Sequence, residues 1–272
     1  MPEVFGFDAY SPAEIARRVE SVGEAKARMA LLPQAMLGVL AGAFIGLGAM
    51  LFVMWRSDAS LGFAASVFGG GLVFSLGLLM VVVAGAELFT GNNLLVMAWA
   101  DGRIGTGLVL RNWTIVCLTN AVGAVGLAWL VWVSGHLQLN GGAVGQKVVQ
   151  IAQAKQALPF WTAFARGVLC NVLVCMAVWM ALAGRSVVDK AVAVVFPVMA
   201  FVAAGFEHSI ANMYLMPQAL WLQQSGVAAD GVAITWAGIA GNLLPVILGN
   251  LAGGAGLVGL VYYVVYLRQP KA

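Results

Sequence analysis

Ala84-Gly85-Ala86-Glu87-Leu88-Phe89-Thr90-Gly91-Asn92 and Ala204-Gly205-Phe206-Glu207-His208-Ser209-Ile210-Ala211-Asn212 decide how this chain is built. The two stretches align without a gap as A-G-x-E-x-x-x-x-N, pairing Glu87 with Glu207 and Asn92 with Asn212. Each lies inside an apolar run, about 67–100 and 190–223, that is too long for one straight membrane helix. A carboxylate, a glycine and an asparagine therefore fall near the depth of a bilayer centre. Polar groups are costly there and need either partners or a function.

The surrounding chain is material for lipid. Of 272 residues, 62% are hydrophobic and only 9% charged, whereas a soluble domain carries roughly a quarter charged residues. The mean hydropathy of +0.94 agrees. Six spans are expected, at about 31–55, 67–100, 108–134, 159–183, 190–223 and 236–267, the second and fifth broken. They form one six-span domain over 31–267, preceded by an arm (1–30) and followed by a short tail (268–272). A net charge of +3 gives no support for a nucleic-acid partner. Cys117, Cys170 and Cys175 sit in apolar runs without disulfide or metal spacing, so neither a metal nor a cofactor is expected.

In the arm, Ser11, Pro12 and Glu14 spell a helix start: a serine cap, proline in the first turn and a glutamate closing a capping box. Through Arg17, Arg18, Lys26 and Arg28 it reads as an amphipathic helix on the membrane surface or as a solvated juxtamembrane segment. It contains no apolar core of a leader, so no cleaved signal peptide is expected. Basic residues orient the chain. Arg17, Arg18, Lys26, Arg28, Arg103, Arg111, Arg185, Lys190, Arg268 and Lys271 fall on one side, against Arg56, Lys147 and Lys155 on the other. That bias predicts both termini in the cytoplasm.

The repeat extends beyond the two motifs. Asn112, Asn120, Gly123 and Gly126 pair with Asn242, Asn250, Gly253 and Gly256, and Gly38-Val39-Leu40 with Gly167-Val168-Leu169. Three spans per repeat is an odd number, so the second half (about 159–267) must enter the membrane upside down relative to the first (about 31–134). Broken helices at matching places of inverted halves mark a transport path near the midplane.

His208, in the second break, is the residue whose depth asks for a function; the bland alternative is a histidine bonding irregular backbone. Glu87 and Glu207 read as devices that accept orphaned backbone N–H groups. Asn92 and Asn212 read as caps that restart the following half-helices. Thr90 and Asn171 are compatible with plain helix packing. Trp55, Trp99 and Trp132, near span ends, fit an interfacial belt.

At these motifs the chain resembles the formate/nitrite transporter family. The resemblance rests on Glu87-Leu88-Phe89-Thr90, on Phe206-Glu207-His208-Ser209-Ile210-Ala211-Asn212-Met213, and on the 170–180 and 242–250 runs. It also rests on Gly184-Arg185-Ser186 with Asp189-Lys190. It implies an aquaporin-like pentamer, each protomer an anion pore pinched by two apolar slits. By that resemblance Leu88, Phe89 and Val174 form a cytoplasmic slit, and Phe74, Leu78 and Phe201 a periplasmic one. His208 would stand between them with Thr90 and Asn171 as polar neighbours. Lys155, on the loop before the fourth span, would draw anions into the outer vestibule. The arm would be able to close the cytoplasmic mouth.

Phe74-Ser75-Leu76-Gly77-Leu78 and Tyr214-Leu215-Met216-Pro217 look most like the formate branch, with nitrite and hydrosulfide as alternative anions. A bare anion crossing two apolar slits faces a large desolvation cost, which a proton passed by His208 would relieve. From other classes, an aquaporin-like neutral-solute channel would want Asn-Pro-Ala pairs, which are missing from both breaks. A membrane enzyme would want a second histidine or a carboxylate cluster near His208, and the other histidine, His136, falls in or near a loop.

Overall fold

The computed structural model describes residues 9–228 and 231–268, and among these every regular element is helical. The tail beyond Arg268, including Lys271, lies outside the described residues. The arm folds as α1 (Pro12–Ala27), with the Ser11–Glu14 capping box formed in both directions. Its apolar stripe, Ile15, Ala16, Val19, Gly23 and Ala27, is buried. Ile15 and Val19 pack on Leu94, Val96 and Met97, and Ala27 on Leu95 and Ala98. Burying each large side chain contributes about 1.5–3 kcal/mol, so the arm docks beneath the first break instead of floating free.

Among the described residues, five helices are long and apolar enough to cross a membrane. These are α2 (Leu31–Arg56), α3 (Phe63–Met80, extended by a wide π turn to Gly85), and α5 (Thr106–Val133). The others are α7 (Phe160–Ala183) and α10 (Trp236–Leu251), which widens into π turns over Ala252–Leu260 and ends as α11 (Val261–Tyr266). After α3 the chain is irregular over 86–90, then winds through a 3-10 turn (Gly91–Leu95) into the short α4 (Val96–Ala100). The fifth expected segment, about 190–223, arrives as two pieces, α8 (Val187–Ala203) and α9 (Ser209–Gln224), neither long enough alone.

The connection before α7, expected as loop, is a helix: α6 (Ala143–Gln156). It buries Val144, Val148, Val149 and Ala152 on one stripe. Lys155 therefore sits in the last turn of a helix, and its position is fixed by packing rather than by a loop.

Close helix approach is glycine-dependent at matched places. A Cβ on Gly123 would run into the Val39 carbonyl oxygen, and one on Gly253 into that of Val168. These contacts bring α5 against α2 and the α10 extension against α7 at backbone distance. They hold Asn120 and Asn250 over the two breaks.

Candidate functional site

Gly85 (φ +85°) and Gly205 (φ +69°) turn the chain at the ends of α3 and α8, in the left-handed region that side chains resist. Beyond each turn several backbone groups lose their helical partners and, being buried, must find others. Glu87 N–H donates to the Leu37 carbonyl at 3.2 Å, and Glu207 N–H to that of Arg166 at 3.3 Å. Phe89 N–H donates to Asn120 Oδ1 at 2.9 Å, and Ser209 N–H to Asn250 Oδ1 at 3.1 Å. The Asn120 amide donates in turn to the Gly38 and Glu87 carbonyls, both at 2.8 Å. Asn250 does the same for Gly167 at 2.8 Å and Glu207 at 3.0 Å.

The carboxylates have other work. Glu87 pairs with Lys26 at 2.8 Å and accepts from Asn92 Nδ2 at 2.7 Å; Glu207 pairs with Lys155 at 2.9 Å and accepts from Asn212 Nδ2 at 2.7 Å. Asn92 and Asn212 also donate to Asn112 and Asn242. Those two return their own amide hydrogens to the Lys26 and Lys155 carbonyls. Two expectations are thereby corrected. The break amides go to Asn120 and Asn250, because an amide side chain serves orphaned N–H and C=O groups together, which a carboxylate cannot. Asn92 and Asn212 cap nothing: they lie inside their helical turns and tie the glutamates to α5 and α10.

The real cap of α9 is His208, whose Nδ1 accepts from Ala211 N–H at 3.2 Å. A backbone N–H only donates, so Nδ1 carries no hydrogen and the neutral ring holds its proton on Nε2. Nε2 lies 3.1 Å from Thr90 Oγ1, which joins the two breaks through one hydrogen bond between buried side chains. Asn171, in α7, sits against the same junction. Its Nδ2 is within 3.2 Å of the Thr90 carbonyl, 2.8 Å of Asn93 Oδ1 and 2.7 Å of the Asn250 carbonyl.

A cavity of about 470 Å³ borders the first break and one of about 220 Å³ the second. Lys26, Glu87 and Leu88 face the first; Lys155, Glu207 and His208, at the matching positions, face the second. Phe201 stacks on the His208 ring at 5.9 Å, and Phe74 meets Phe201 edge-on at 5.9 Å; both border the second cavity. Leu78, grouped with them by the resemblance, faces the first cavity beside Leu88. Phe89, Val174, Thr90 and Asn171 are all buried.

Sequence reading gives no site role to Lys26, Asn120 or Asn250, although all three stand at repeat-matched positions that would flag them. It also misses Arg56 and Arg166, which border the second cavity.

Comparison with known proteins adds independent findings. The family model described as Formate/nitrite transporter matches residues 13–264. The formate channel FocA of Escherichia coli strain K12 is 40% identical over 97% of this chain and 96% of its own length. A solved structure described as a pentameric formate channel with formate bound matches with a TM-score of 0.81 and 35% identity, covering 88% of this chain and 98% of that one. Another, described as an FNT family ion channel, matches with a TM-score of 0.82 and 32% identity over 93% and 98%.

Proposed function

From the premise that this chain belongs to the formate/nitrite transporter family, a family of membrane transporters and not of enzymes, we propose that it is a pentameric plasma-membrane channel for small monovalent anions, formate foremost. In this reading the chain crosses the bilayer six times as two inverted halves with both termini in the cytoplasm. The two cavities are the vestibules of one path. The apolar residues between them, Leu78 with Leu88 and Phe74 with Phe201, are its constrictions, and Phe89 and Val174 back the cytoplasmic one.

The observation that carries this reading is the Thr90–His208 hydrogen bond, a neutral polar pair set between apolar constrictions where the two breaks meet. A carboxylate stripped of water there needs a donor, and His208 Nε2–H and the Thr90 hydroxyl are the donors at hand. A proton relay through His208 carries a structural cost. To give up a proton and remain neutral, the ring must first gain one at Nδ1, and that displaces the Ala211 cap. Proton transfer is thus coupled to loosening the first turn of α9.

The test is flux of formate, nitrite and hydrosulfide into proteoliposomes against a pH gradient, with His208→Phe alongside. We expect formate to lead, its flux to rise with an inward proton gradient, and the variant to assemble yet lose tenfold or more, the rate equivalent of about 1.4 kcal/mol. Equal flux of all three, indifferent to pH and to His208, leaves a size-selective pore and removes the relay. Osmotic swelling without anion flux would instead indicate a neutral-solute channel.

A further inference from the structure

The cavity at the second break holds more positive charge than its fold requires. Lys155 is engaged there by Glu207 at 2.9 Å. Arg56 and Arg166 border the same cavity, and neither has an acidic or hydrogen-bonding side-chain partner among the described residues. Arg56 ends α2. Its stem lies against the bare backbone of Gly70, where a Cβ would sit 3.2 Å from its Cγ and Cδ, and its guanidinium carbon is 5.7 Å from the Phe52 ring centroid. Its Nε is buried without an acceptor among the described residues. Arg166 lies on α7, anchored at its carbonyl by Glu207 N–H, so its side chain projects from a backbone fixed to the break. At the matching place the other cavity has Leu37, which makes the same backbone bond to Glu87. The fold needs the carbonyl, not the guanidinium.

Two guanidinium groups beside an already neutralised ion pair leave the cavity with uncompensated positive charge in a half-enclosed space, an arrangement that calls for an anion. Guanidinium favours planar oxyanions because its N–H fork matches the two oxygens of a carboxylate, which a lysine ammonium does not. We propose that Arg56 and Arg166 form a capture site for a small planar carboxylate at the wall of Phe74 and Phe201, ahead of His208. The assignment rests on the channel reading above. It moves anion capture from Lys155, whose charge is spent on Glu207, to the two arginines. The site concentrates substrate at the constriction and so governs uptake when substrate is scarce, while leaving the saturated rate to the constriction itself.

The experiment uses the full-length protein in two assays. In proteoliposomes, formate uptake is measured from micromolar to saturating concentrations, at low and high sodium chloride, for the wild type, Arg56→Gln, Arg166→Gln and the double variant. The double variant is expected to lose about tenfold in uptake at low formate, to keep its saturated rate within about twofold, and to lose most of the salt dependence. In detergent, modification of arginines by a phenylglyoxal reagent is mapped by mass spectrometry with and without formate. Formate should protect Arg56 and Arg166 and leave Arg17 and Arg185 unprotected. Unchanged low-formate uptake and salt dependence in the double variant, with no protection, would overturn the site. Protection in a wild-type protein that conducts no formate would uphold the site and retire the channel reading, so the two failures are told apart.

Discussion

The two breaks share a frame and differ in their lining. Glu87 and Glu207, Asn92 and Asn212, Asn112 and Asn242, Asn120 and Asn250, Lys26 and Lys155 make matching bonds in both halves, with one difference: Lys26 Nζ also donates to Asn92 Oδ1 at 2.9 Å, while Asn212 Oδ1 has no partner among the described residues. Between Glu and Asn the halves diverge: Leu88-Phe89-Thr90 stands opposite His208-Ser209-Ile210. Leu37 and Val81 on the first cavity face Arg166 and Phe201 on the second. What the halves share answers to the needs of buried irregular backbone. What they do not share is free of that duty, and there the solute-facing chemistry collects. Thr90 and His208 each lack a polar counterpart in the other half, and each is the other's partner.

The sharpest way to break this comparison is to remove the frame. Asn120→Leu and Asn250→Leu each orphan one N–H and one break carbonyl, and remove a second bond to a helix carbonyl (Gly38 or Gly167). At about 1–3 kcal/mol for a buried polar group left unsatisfied, each should cost about 3 kcal/mol or more. Thermal unfolding of the purified protein should show similar losses for the two variants. A large loss in one half and none in the other would mean that the frames are alike in geometry but not in energy.

A smaller effect is expected at the lysines, and it should be unequal. Lys155→Met leaves Glu207 charged with only Asn212 beside it; Lys26→Met does the same to Glu87 and also takes away the donor to Asn92 Oδ1. Fully buried pairs broken in this way cost about 3–5 kcal/mol. Both lysines border cavities, at 15% and 26% side-chain exposure, so about 1–3 kcal/mol is expected, with the more enclosed Lys155 the costlier. Adding Glu207→Gln should recover most of the Lys155→Met loss. Equal losses, or no recovery, would show that the charges are carried by water in the cavities and not by each other.

These distinctions are only partly legible in the sequence. The paired motifs announce both breaks, because glycine, glutamate and asparagine are tolerated together inside an apolar run mainly where the helix stops and its backbone needs partners. The capping box announces α1, because its signal is local. Which polar atom meets which is another matter. Asn120 and Asn250 come from helices some thirty or more residues away in the chain, and no local pattern says that their amides, not the glutamates, take the break amides. Helix α6 is hard to read because its mixture of valine, glutamine and lysine resembles loop composition. Matching it with α1 through Lys26 and Lys155 reveals it. In the sequence Arg56 is a flanking charge and Arg166 a residue within a span, since only the folded cavity brings the ends of α2 and α7 together.

Helices α1 and α6 are counterparts too, and their buried stripes differ at one telling place: Glu20 in α1 stands where α6 has Val149, and both are buried. Glu20 meets Arg103 at 2.7 Å, yet burial and the neighbouring Asp101 carboxylate outweigh that attraction and push its pKa from 4.5 up to about 7. A docked α1 therefore binds more protons than a released one between pH 4.5 and about 7. Docking strengthens as pH falls through that window and weakens as pH rises through about 7. Hydrogen exchange in α1, corrected for intrinsic rates, should be a few-fold slower at pH 5 than at pH 8, while α6, with Val149 in place, shows no such step. Glu20→Gln, which mimics the protonated acid, should hold α1 in the slow state at both values. A pH step that survives in Glu20→Gln would assign it to another group, and an equal step in α6 would make it a property of the whole fold instead of this one buried carboxyl.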